Sequence, residues 1–395
     1  MKIGIDASCW ANKRGYGRFT REMLTALFEQ DKENEYVLFM DSATACQSNL
    51  PSHVECIAID LSQSPTQAAS ASGRRSITDM LKMGREVAKV NLTLFFYPSV
   101  YTYFPIFNRI KKIVAIHDVI AEKFPQLVFT NRINRTFWNI KVWFAIKQAN
   151  LIMTVSEFSK QGIMEYFGMS GDTIGVVSEA ADKSFRPIHE SYLLTDILAR
   201  FNLDITSKFI LYVGGIAPHK NLSTLVKAYS KLINNTVHKD IKLVLVGDYE
   251  KDVFLIDKDL DVLLKQLHLA DRIIFTGFVS DEELVYFYNA ATVFVLPSFI
   301  EGFGLPAIES MACGTPVIGS KTTSLPEVVG SAGLFFDPNS PDELLDHLVT
   351  VIEDEELRKD LTKRSLHRSA EFSWSKSALE TLRVFNQLGK NEQVT

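Results

Sequence analysis

The chain has 395 residues, of which 46% are hydrophobic and 23% charged; this composition is globular, and the length exceeds one ordinary core. Its formal net charge of −5 excludes recruitment of nucleic acid or anionic lipid by a global positive field, but leaves local basic patches open. Four widely spaced cysteines (Cys9, Cys46, Cys56 and Cys313) form no CxxC pair, which favours free thiols in a reducing compartment over a zinc site. No run resembles a signal peptide or a bilayer span, so we expect a cytoplasmic protein that is soluble or peripheral at the inner face of the cell membrane.

The first half of the chain alternates short apolar runs with longer stretches of helical period. The runs lie at 2–7, 36–40, 55–60, 92–98, 112–118, 151–156 and 173–179. They are nearly continuous in Val, Ile, Leu and Phe, as expected for parallel strands that are buried on both faces. The alternation predicts a doubly wound α/β sheet.

The same pattern restarts in the second half. Its apolar runs lie at 208–215, 241–247, 271–278, 293–298, 315–320 and 333–338. The expected fold class is therefore α/β, with two Rossmann-like, doubly wound parallel-sheet domains facing a central cleft. The predicted segments are an N-terminal domain at 1–187, a linker at 188–207, a C-terminal domain at 208–372, and a final helix at 373–395 that packs back on the N-terminal domain. Ligands of such sheets bind beyond the carboxyl ends of the strands.

The stretch "SFIEGFGLPAIESMACGTPVIGS" places two acids, Glu301 and Glu309, around a glycine-rich turn between a strand and a helix. Pro306 suits the first helical position, and Gly302 and Gly304 allow a ligand to approach the backbone. A helix N-terminus favours a phosphate, whereas carboxylates accept hydrogen bonds from vicinal hydroxyls. The stretch predicts a sugar-nucleotide site. A solvated acid at Glu301 and a helix-dipole role for Glu309 in the first turn are the alternatives.

Two further strand ends of the second half carry candidate donor-binding groups. In "YVGGIAPHKNLSTLVKAY", a glycine turn precedes Lys220, which can reach a phosphate at the same sheet edge as Glu301. In "FTGFVSDEEL", the backbone at Phe278 and Val279 can hold a base, although a plain strand-to-helix turn explains these residues equally well.

Two strand ends of the first half offer candidate groups for the acceptor side. "ANKRGYGRF" lacks the GxGxxG spacing of a dinucleotide fingerprint, but Gly17 can supply an amide and Arg18 a positive charge beside Tyr16. In "KIVAIHDVI", His117 can hydrogen-bond a transferred sugar, and Asp118 can fix the tautomer of His117 or act separately. A structural role for a lone histidine stays open.

The stretch "NRINRTFWNIKVWFAIKQA" at 131–149 is both basic and aromatic. Such helices can lie on anionic membranes. Its aromatic residues run almost all round the predicted helix, which favours a buried element instead.

With these motifs in place, the chain resembles the retaining glycosyltransferases of family 4, which have the GT-B architecture. "EGFGLPAIESMACGTPVI" is similar to the signature of that family, with two glutamates separated by seven residues, and "YVGGIAPHKNLSTLVKAY" is similar to its phosphate-binding stretch. "RGYGRFTREML" and "IHD" are similar to its bacterial polysaccharide mannosyltransferases. The resemblance spans essentially the whole chain.

The resemblance implies a role for each matching position. The implied catalytic residues are His117, Lys220 and Glu301. The implied donor-binding residues are Gly17, Gly215, His219, Lys220, Phe278, Val279, Glu301, Gly302, Phe303, Gly304, Leu305 and Glu309, the last on the ribose. The residues implied on the acceptor or sugar are Tyr16, Arg18, His117 and Asp118.

The resemblance also implies a reaction without metal or other cofactor, by same-face substitution through a short-lived oxocarbenium ion pair. The expected partners are a nucleotide sugar, with GDP-mannose favoured and UDP- or dTDP-sugars open, and a glycan or lipid-linked glycan at the inner membrane. Nucleic acid is not an expected partner. Members of the family often carry arginine where this chain has Gly215 and His219. Partial protonation of His219 would then make activity sensitive to pH.

Other classes of protein fit the sequence less well. A dehydrogenase lacks its glycine fingerprint here, and a glycoside hydrolase needs two carboxylates astride the scissile bond. A metal-dependent transferase would use Asp257-x-Asp259-x-Asp261, but this run falls in a charged helical stretch rather than at a strand end. A non-catalytic subunit that binds nucleotide sugars within a glycan-assembly complex stays open.

Overall fold

The computed structural model describes residues 1–12, 15–48, 50–65, 75–129, 131–190, 192–247, 258–269 and 271–389. The chain divides into two compact units. Unit 1 comprises Met1–Glu179 and the C-terminal stretch from Ser373, and unit 2 comprises Ala180–Phe372. Each unit is built on one parallel sheet, which confirms the fold class predicted from the repeated apolar runs.

The sheet of unit 1 has seven strands within the described residues. They are β1 Lys2–Asp6, β2 Glu35–Asp41, β3 Glu55–Ile59, β4 Leu94–Tyr97, β5 Lys111–Ala115, β6 Leu151–Thr154 and β7 Ile174–Val176. Their order is β3-β2-β1-β4-β5-β6-β7. In β1, Ile3 pairs with Tyr36 on one side and Leu94 on the other. The central strands are almost wholly buried because helices cover both faces of a parallel sheet.

Helices connect these strands. In unit 1 they are α1 Gly15–Gln30, α2 Ser42–Gln47, α3 Ile77–Ala88, α4 Ile120–Lys123, α5 Pro125–Val128, α6 Arg132–Gln148 and α7 Glu157–Phe167. Several begin at a polar side chain that accepts a hydrogen bond from the backbone N–H three residues on, as an N-cap does. Caps of this kind in unit 1 include Asp41, Ser76, Asn131 and Ser156.

The sheet of unit 2 has six strands within the described residues. They are β8 Phe209–Val213, β9 Lys242–Val246, β10 Ile273–Gly277, β11 Val293–Leu296, β12 Val317–Ser320 and β13 Gly333–Phe336, in the order β10-β9-β8-β11-β12-β13. The helices that follow in chain order are α8 Tyr192–Ala199, α9 Leu222–Ile233, α10 Lys258–Gln266, α11 Asp281–Ala290, α12 Leu305–Ala312, α13 Leu325–Val329, α14 Pro341–Glu353 and α15 Glu355–Ser369.

The last helix, α16 at Trp374–Gly389, packs in unit 1. Trp374 meets the Phe19 ring of α1 edge-on at 6.0 Å, and Phe385 meets Phe96 of β4 at 5.4 Å. These contacts place apolar residues of α16 against both a helix and a strand of the same unit.

The segment expected as a linker at 188–207 contains α8 and packs within unit 2. Leu198 and Leu203 are buried, and Arg200 forms an ion pair with Glu283 at 2.5 Å. A segment that buries leucine side chains in this way is part of the compact unit.

Candidate active site

The candidate donor site of unit 2 lies where the strand order of the sheet reverses. β8 has β9 on one side and β11 on the other, and ligands of such sheets bind at the carboxyl ends of the strands at this point. Lys220 lies in the connection after β8, and Glu301 lies in the connection after β11. A backbone hydrogen bond of 2.9 Å from the N–H of Phe299 to the carbonyl of His219 joins the two connections. The topology thus brings together the two motifs that the sequence analysis selected.

Lys220 and Glu301 form an ion pair, with Nζ 2.7 Å from Oε1. Ser298 donates its hydroxyl to the same carboxylate oxygen at 2.5 Å. The two charged side chains are 21% and 10% accessible, so water and salt screen their attraction less than at an open surface. The site therefore offers a cation for a phosphate and an oriented acceptor for hydroxyl groups side by side.

Asn221 fixes the position of Lys220, a role that the sequence analysis missed. Its backbone lies in the left-handed region at φ 55°, which asparagine tolerates better than most residues. Its Nδ2 donates to the carbonyl of Pro297 at 3.0 Å and to that of Pro338 at 2.7 Å. Three strand ends are thereby tied together. A signal was available, because asparagine is favoured at helix N-caps and in left-handed backbone.

The turn after Glu301 leads into helix α12. Gly304 is the N-cap of that helix and has φ 101°; a Cβ at this position would lie 2.6 Å from Cδ2 of Leu325. Only glycine suits both constraints. Ser324 donates its hydroxyl to the carbonyl of Phe303 at 2.8 Å and so holds the turn. The turn delivers the partial positive charge of a helix N-terminus directly after the acid.

The side chains along this turn differ in their exposure. Gly302 is half-exposed, whereas the side chains of Phe303 and Leu305 are buried. The Phe303 ring packs on Phe372 at 5.8 Å. Phe303 and Leu305 can therefore face a ligand only with backbone groups, as the resemblance implies.

Glu309 is almost enclosed, with 1% of its surface accessible. Its Oε2 accepts a hydrogen bond of 3.0 Å from the hydroxyl of Tyr288. Because α12 begins at Leu305, Glu309 lies beyond the first turn, so the alternative of a helix-dipole role there is wrong. Its contact with ribose stays a prediction.

His219 is buried, with 1% of its surface accessible. Burial, and to a lesser extent the charge of Lys220, lowers the pKa of His219 to about 3. The expectation that partial protonation of His219 tunes activity is therefore wrong, because the imidazole stays neutral near neutral pH. The nearby carbonyl of Gly215 accepts a hydrogen bond of 2.7 Å from the hydroxyl of Tyr212.

Phe278 and Val279 follow β10, the edge strand that β9 separates from β8. The Phe278 side chain is 64% exposed, whereas Val279 is buried. Ser280 caps the next helix by accepting from the N–H of Glu283 at 3.3 Å. The turn agrees with the plain strand-to-helix alternative and leaves base binding as a prediction.

In unit 1 the strand order reverses at β1, which lies between β2 and β4. The glycine-rich connection after β1 leads into α1 at Gly15. A Cβ on Gly17 would lie 2.1 Å from the carbonyl oxygen of Asn12, so this position accepts only glycine. Asn12 also donates its side-chain amide to the hydroxyl of Tyr16 at 2.7 Å, and Arg18 is half-exposed on the same turn. The connection is thus held by its own polar groups.

His117 contacts hydrogen-bonding groups at both ring nitrogens. Nε2 lies 2.9 Å from the carbonyl oxygen of Pro98, and Nδ1 lies 3.4 Å from Oε1 of Glu179. Burial by itself would lower the pKa of His117, but the Glu179 carboxylate and the Pro98 carbonyl outweigh it, and the pKa is raised. Asp118 instead accepts from the N–H of Ile120 at 2.9 Å and opens helix α4. Of the two roles expected for Asp118, fixing the tautomer of His117 falls to Glu179, which lies beside Nδ1, and a separate role for Asp118 stays a prediction.

A chain of aromatic rings links the glycine-rich connection to helix α6. Tyr16 stacks on Tyr101 with centroids 5.0 Å apart, and Tyr101 contacts Trp138 at 4.9 Å. Trp138 donates its indole N–H to Glu122 at 2.7 Å, and Lys141 lies 4.2 Å from the centroid of the Trp138 ring. Burial raises the pKa of Glu122 to about 7 and lowers the pKa of Lys141 to about 7. Tyr101 and Glu122 were not predicted, because they belong to no sequence motif.

Potential metal ligands do not converge in the described part of the chain, where no group of three or more His, Cys, Asp or Glu side chains could hold an ion. Asp259 and Asp261 lie in the first turn of α10, as the sequence predicts, and Asp257 lies outside the described residues.

Known proteins resemble this chain in both sequence and fold. A family model described as "Glycosyl transferases group 1" matches residues 195–368. The chain is 34% identical over 280 residues to the O-antigen chain mannosyltransferase B of Escherichia coli, a match that covers 70% of this chain and 71% of that protein. It is 29% identical over 286 residues to the serotype-specific mannosyltransferase WbdA of Escherichia coli, which covers 72% of this chain and 34% of WbdA.

The fold resembles that of sucrose-phosphate synthase from Thermosynechococcus elongatus, with a TM-score of 0.76 over 98% of this chain and 99% of that one. At 20% identity this likeness concerns the fold alone. The predicted GT-B fold class is confirmed, and the family model and the 34% identical relative together fix the family. The chain belongs to the glycosyl transferases of group 1.

Proposed function

We propose that this glycosyltransferase moves mannose from GDP-mannose to a growing glycan, carried on a lipid at the cytoplasmic face of the inner membrane, with retention of anomeric configuration. Relatives named as O-antigen and serotype-specific mannosyltransferases support the choice of sugar and of polysaccharide assembly. The observation that carries the proposal is the Lys220–Glu301 pair at the reversal point of the unit 2 sheet.

In the proposed reaction, Lys220 and the N-terminus of α12 stabilise the departing diphosphate. A charged hydrogen bond to phosphate contributes about 1.5–3 kcal/mol, and it accelerates the reaction to the extent that it strengthens as negative charge develops. Glu301 accepts hydrogen bonds from sugar hydroxyls and favours positive charge at the anomeric carbon. Glu309 holds the ribose.

The proposed reaction requires neither a metal nor an external base. The bond from the anomeric carbon to the phosphate oxygen breaks, and its electron pair stays on the diphosphate. The acceptor hydroxyl forms the new bond on the same face, and its proton passes to the departing phosphate. The Lys220 ammonium takes the role that a divalent cation has in metal-dependent transferases.

The test begins with thermal-shift titration of the whole chain with GDP, UDP and dTDP and with GDP-mannose. Specific binding to the folded state raises the melting temperature by mass action. We expect GDP and GDP-mannose to shift it most, and EDTA to leave that shift unchanged. A shift with UDP or dTDP alone would replace the proposed donor.

Transfer is then measured with radiolabelled GDP-mannose and a membrane extract as the source of acceptor, followed by NMR of the product linkage. An α-linked mannose supports retention, and a β-linked product contradicts it. Donor binding without any transfer, under conditions in which E. coli O-antigen mannosyltransferase B is active, would favour the non-catalytic subunit.

A further inference from the structure

Helix α6 carries an apolar stripe on its outer face, opposite the face that packs on unit 1. The stripe follows the i, i+4, i+7, i+11 spacing of one helix face, and its side chains are 40–56% exposed. Its members are Ile133, Phe137, Ile140 and Phe144. Trp143 beside it is 54% exposed, whereas Trp138, Val142 and Ala145 are buried on the opposite face. One apolar face suffices to pack a helix on its domain, so the second face calls for another explanation.

The exposed stripe corrects the sequence-based interpretation of α6 as an element buried all round. The helix combines two apolar faces, only one of which has a partner within the described residues of unit 1. None of the described helices is long and apolar enough to cross a bilayer. The stripe can therefore meet lipid only by lying along a surface.

The charged side chains of α6 itself have one sign. The helix has four cations and no aspartate or glutamate, although the whole protein has a net charge of −5. The cations are Arg132, Arg135, Lys147 and Lys141, the last of which lies against Trp138 on the inner face. Arg132, Arg135 and Lys147 are exposed on α6 itself. Exposed apolar side chains flanked by cations alone match an anionic lipid surface.

We propose that the outer face of α6 docks the protein onto a bilayer containing anionic phospholipid, with the apolar stripe at the level of the headgroups and the cations on the lipid phosphates. The inference deepens and rests on the proposed function, in which the acceptor is lipid-linked. A second copy of this chain fits the face less well, because a two-fold contact would place these cations against one another.

The inner face of α6 explains what such docking achieves. Trp138 contacts Tyr101, which stacks on Tyr16 of the glycine-rich connection. A glycan held by its lipid at the docked surface would therefore reach unit 1 one helix away from the residues proposed for the acceptor.

Vesicle sedimentation of the full chain, without any nucleotide, tests the docking. We expect binding to phosphatidylethanolamine vesicles that contain phosphatidylglycerol and little binding to phosphatidylcholine vesicles. The double variant Phe137→Ser, Phe144→Ser should bind at least about tenfold more weakly. Arg132→Gln with Arg135→Gln should weaken binding about fivefold for each charge removed, and added salt should do the same.

The matched control is Ile77→Ser with Leu379→Ser, which removes two exposed apolar side chains from other helices of unit 1 and should leave vesicle binding unchanged. Thermal shift with GDP, read separately, should stay as in the wild type for every variant. A variant that loses vesicle binding but keeps its thermal shift with GDP would therefore leave the proposed function unaffected. Equal binding by the wild type and the phenylalanine double variant would overturn the proposal. So would a dimer in solution that the double variant dissociates, which would assign the face to a second copy.

Discussion

His117 Nδ1 lies 3.4 Å from Glu179 Oε1, and the two side chains are 12% and 6% accessible. The residues follow β5 and β7, which β6 separates in the sheet. A neutral imidazole has a single N–H, yet both nitrogens of His117 lie beside acceptors, because Nε2 is 2.9 Å from the Pro98 carbonyl oxygen. Only the protonated imidazolium has an N–H for each of the two acceptors. Glu179 therefore sets both the charge and the orientation of His117.

Glu179→Gln should lower the pKa of His117, because it removes the carboxylate that outweighs burial. The folded-state pKa is raised, so the stability that this pair contributes is present below the unfolded value of about 6.5 and is lost as pH rises through the folded value. The variant should lose free energy of unfolding chiefly in acid solution. An NMR titration of the imidazole and urea unfolding at several pH values measure the two effects.

The control for this experiment is Glu165→Gln, which neutralises an exposed acid of unit 1 that pairs with Lys123. Glu165→Gln should leave the pKa of His117 unchanged. If Glu179→Gln also leaves that pKa unchanged, the pairing with Glu179 does not set the charge of His117.

Lys220→Ala should reduce sugar transfer by about one to two decades, because the departing diphosphate loses a charged hydrogen bond of about 1.5–3 kcal/mol. Glu301→Gln should reduce transfer as well. In the double variant, the activation free energy should rise by less than the sum of the increases in the two single variants, because the residues share one ion pair. Steady-state kinetics with the preferred donor give these values. Lys227→Ala, at an exposed lysine of α9, is the matched control and should transfer at the wild-type rate.

The strands were predictable from the sequence because parallel strands buried on both faces need continuous apolar runs, and every predicted run overlaps one observed strand. The Lys220 and Glu301 connections were predictable because strand ends of such sheets meet at one edge. Glu179 was not predictable as the partner of His117, because the contact joins two strands that are remote in sequence. The neutral state of His219 and the exposed stripe of α6 likewise depend on tertiary burial, which local pattern does not specify.

His219→Gln should change the pH dependence of stability rather than that of sugar transfer. Its folded-state pKa of about 3 lies below the unfolded value, so the protonation of His219 in the unfolded chain destabilises the fold as pH falls from about 6.5 toward 3. Between neutral pH and about pH 5, the free energy of unfolding should fall by about 2 kcal/mol less in the variant than in the wild type. His53→Gln, at an exposed histidine, is the control. A shift of the pH–rate profile near neutral pH in His219→Gln would contradict the neutral assignment.

Tyr288→Phe should destabilise unit 2 by about 1–3 kcal/mol, because it removes the hydroxyl that donates to the enclosed carboxylate of Glu309. The aromatic contacts of the ring with Phe185 and Phe294 are kept in the variant, so the loss reports the hydroxyl. Urea unfolding measures it. Tyr286→Phe, on the same helix and half-exposed, should cost much less. Equal costs would mean that Glu309 does not depend on Tyr288.

Gly17→Ala should damage the glycine-rich connection of unit 1, because the added Cβ would lie 2.1 Å from the carbonyl oxygen of Asn12. The backbone has to move, at a cost of about 1–3 kcal/mol in the free energy of unfolding. Since Asn12 also holds Tyr16, the displacement should reach the Tyr16–Tyr101 stack and lower the rate of sugar transfer. Gly171→Ala, where the nearest atoms lie at 3.4–3.5 Å, is the matched control and should leave both stability and transfer nearly unchanged. If the two alanine variants behave alike in urea unfolding and in transfer, the close approach at Gly17 does not constrain the site.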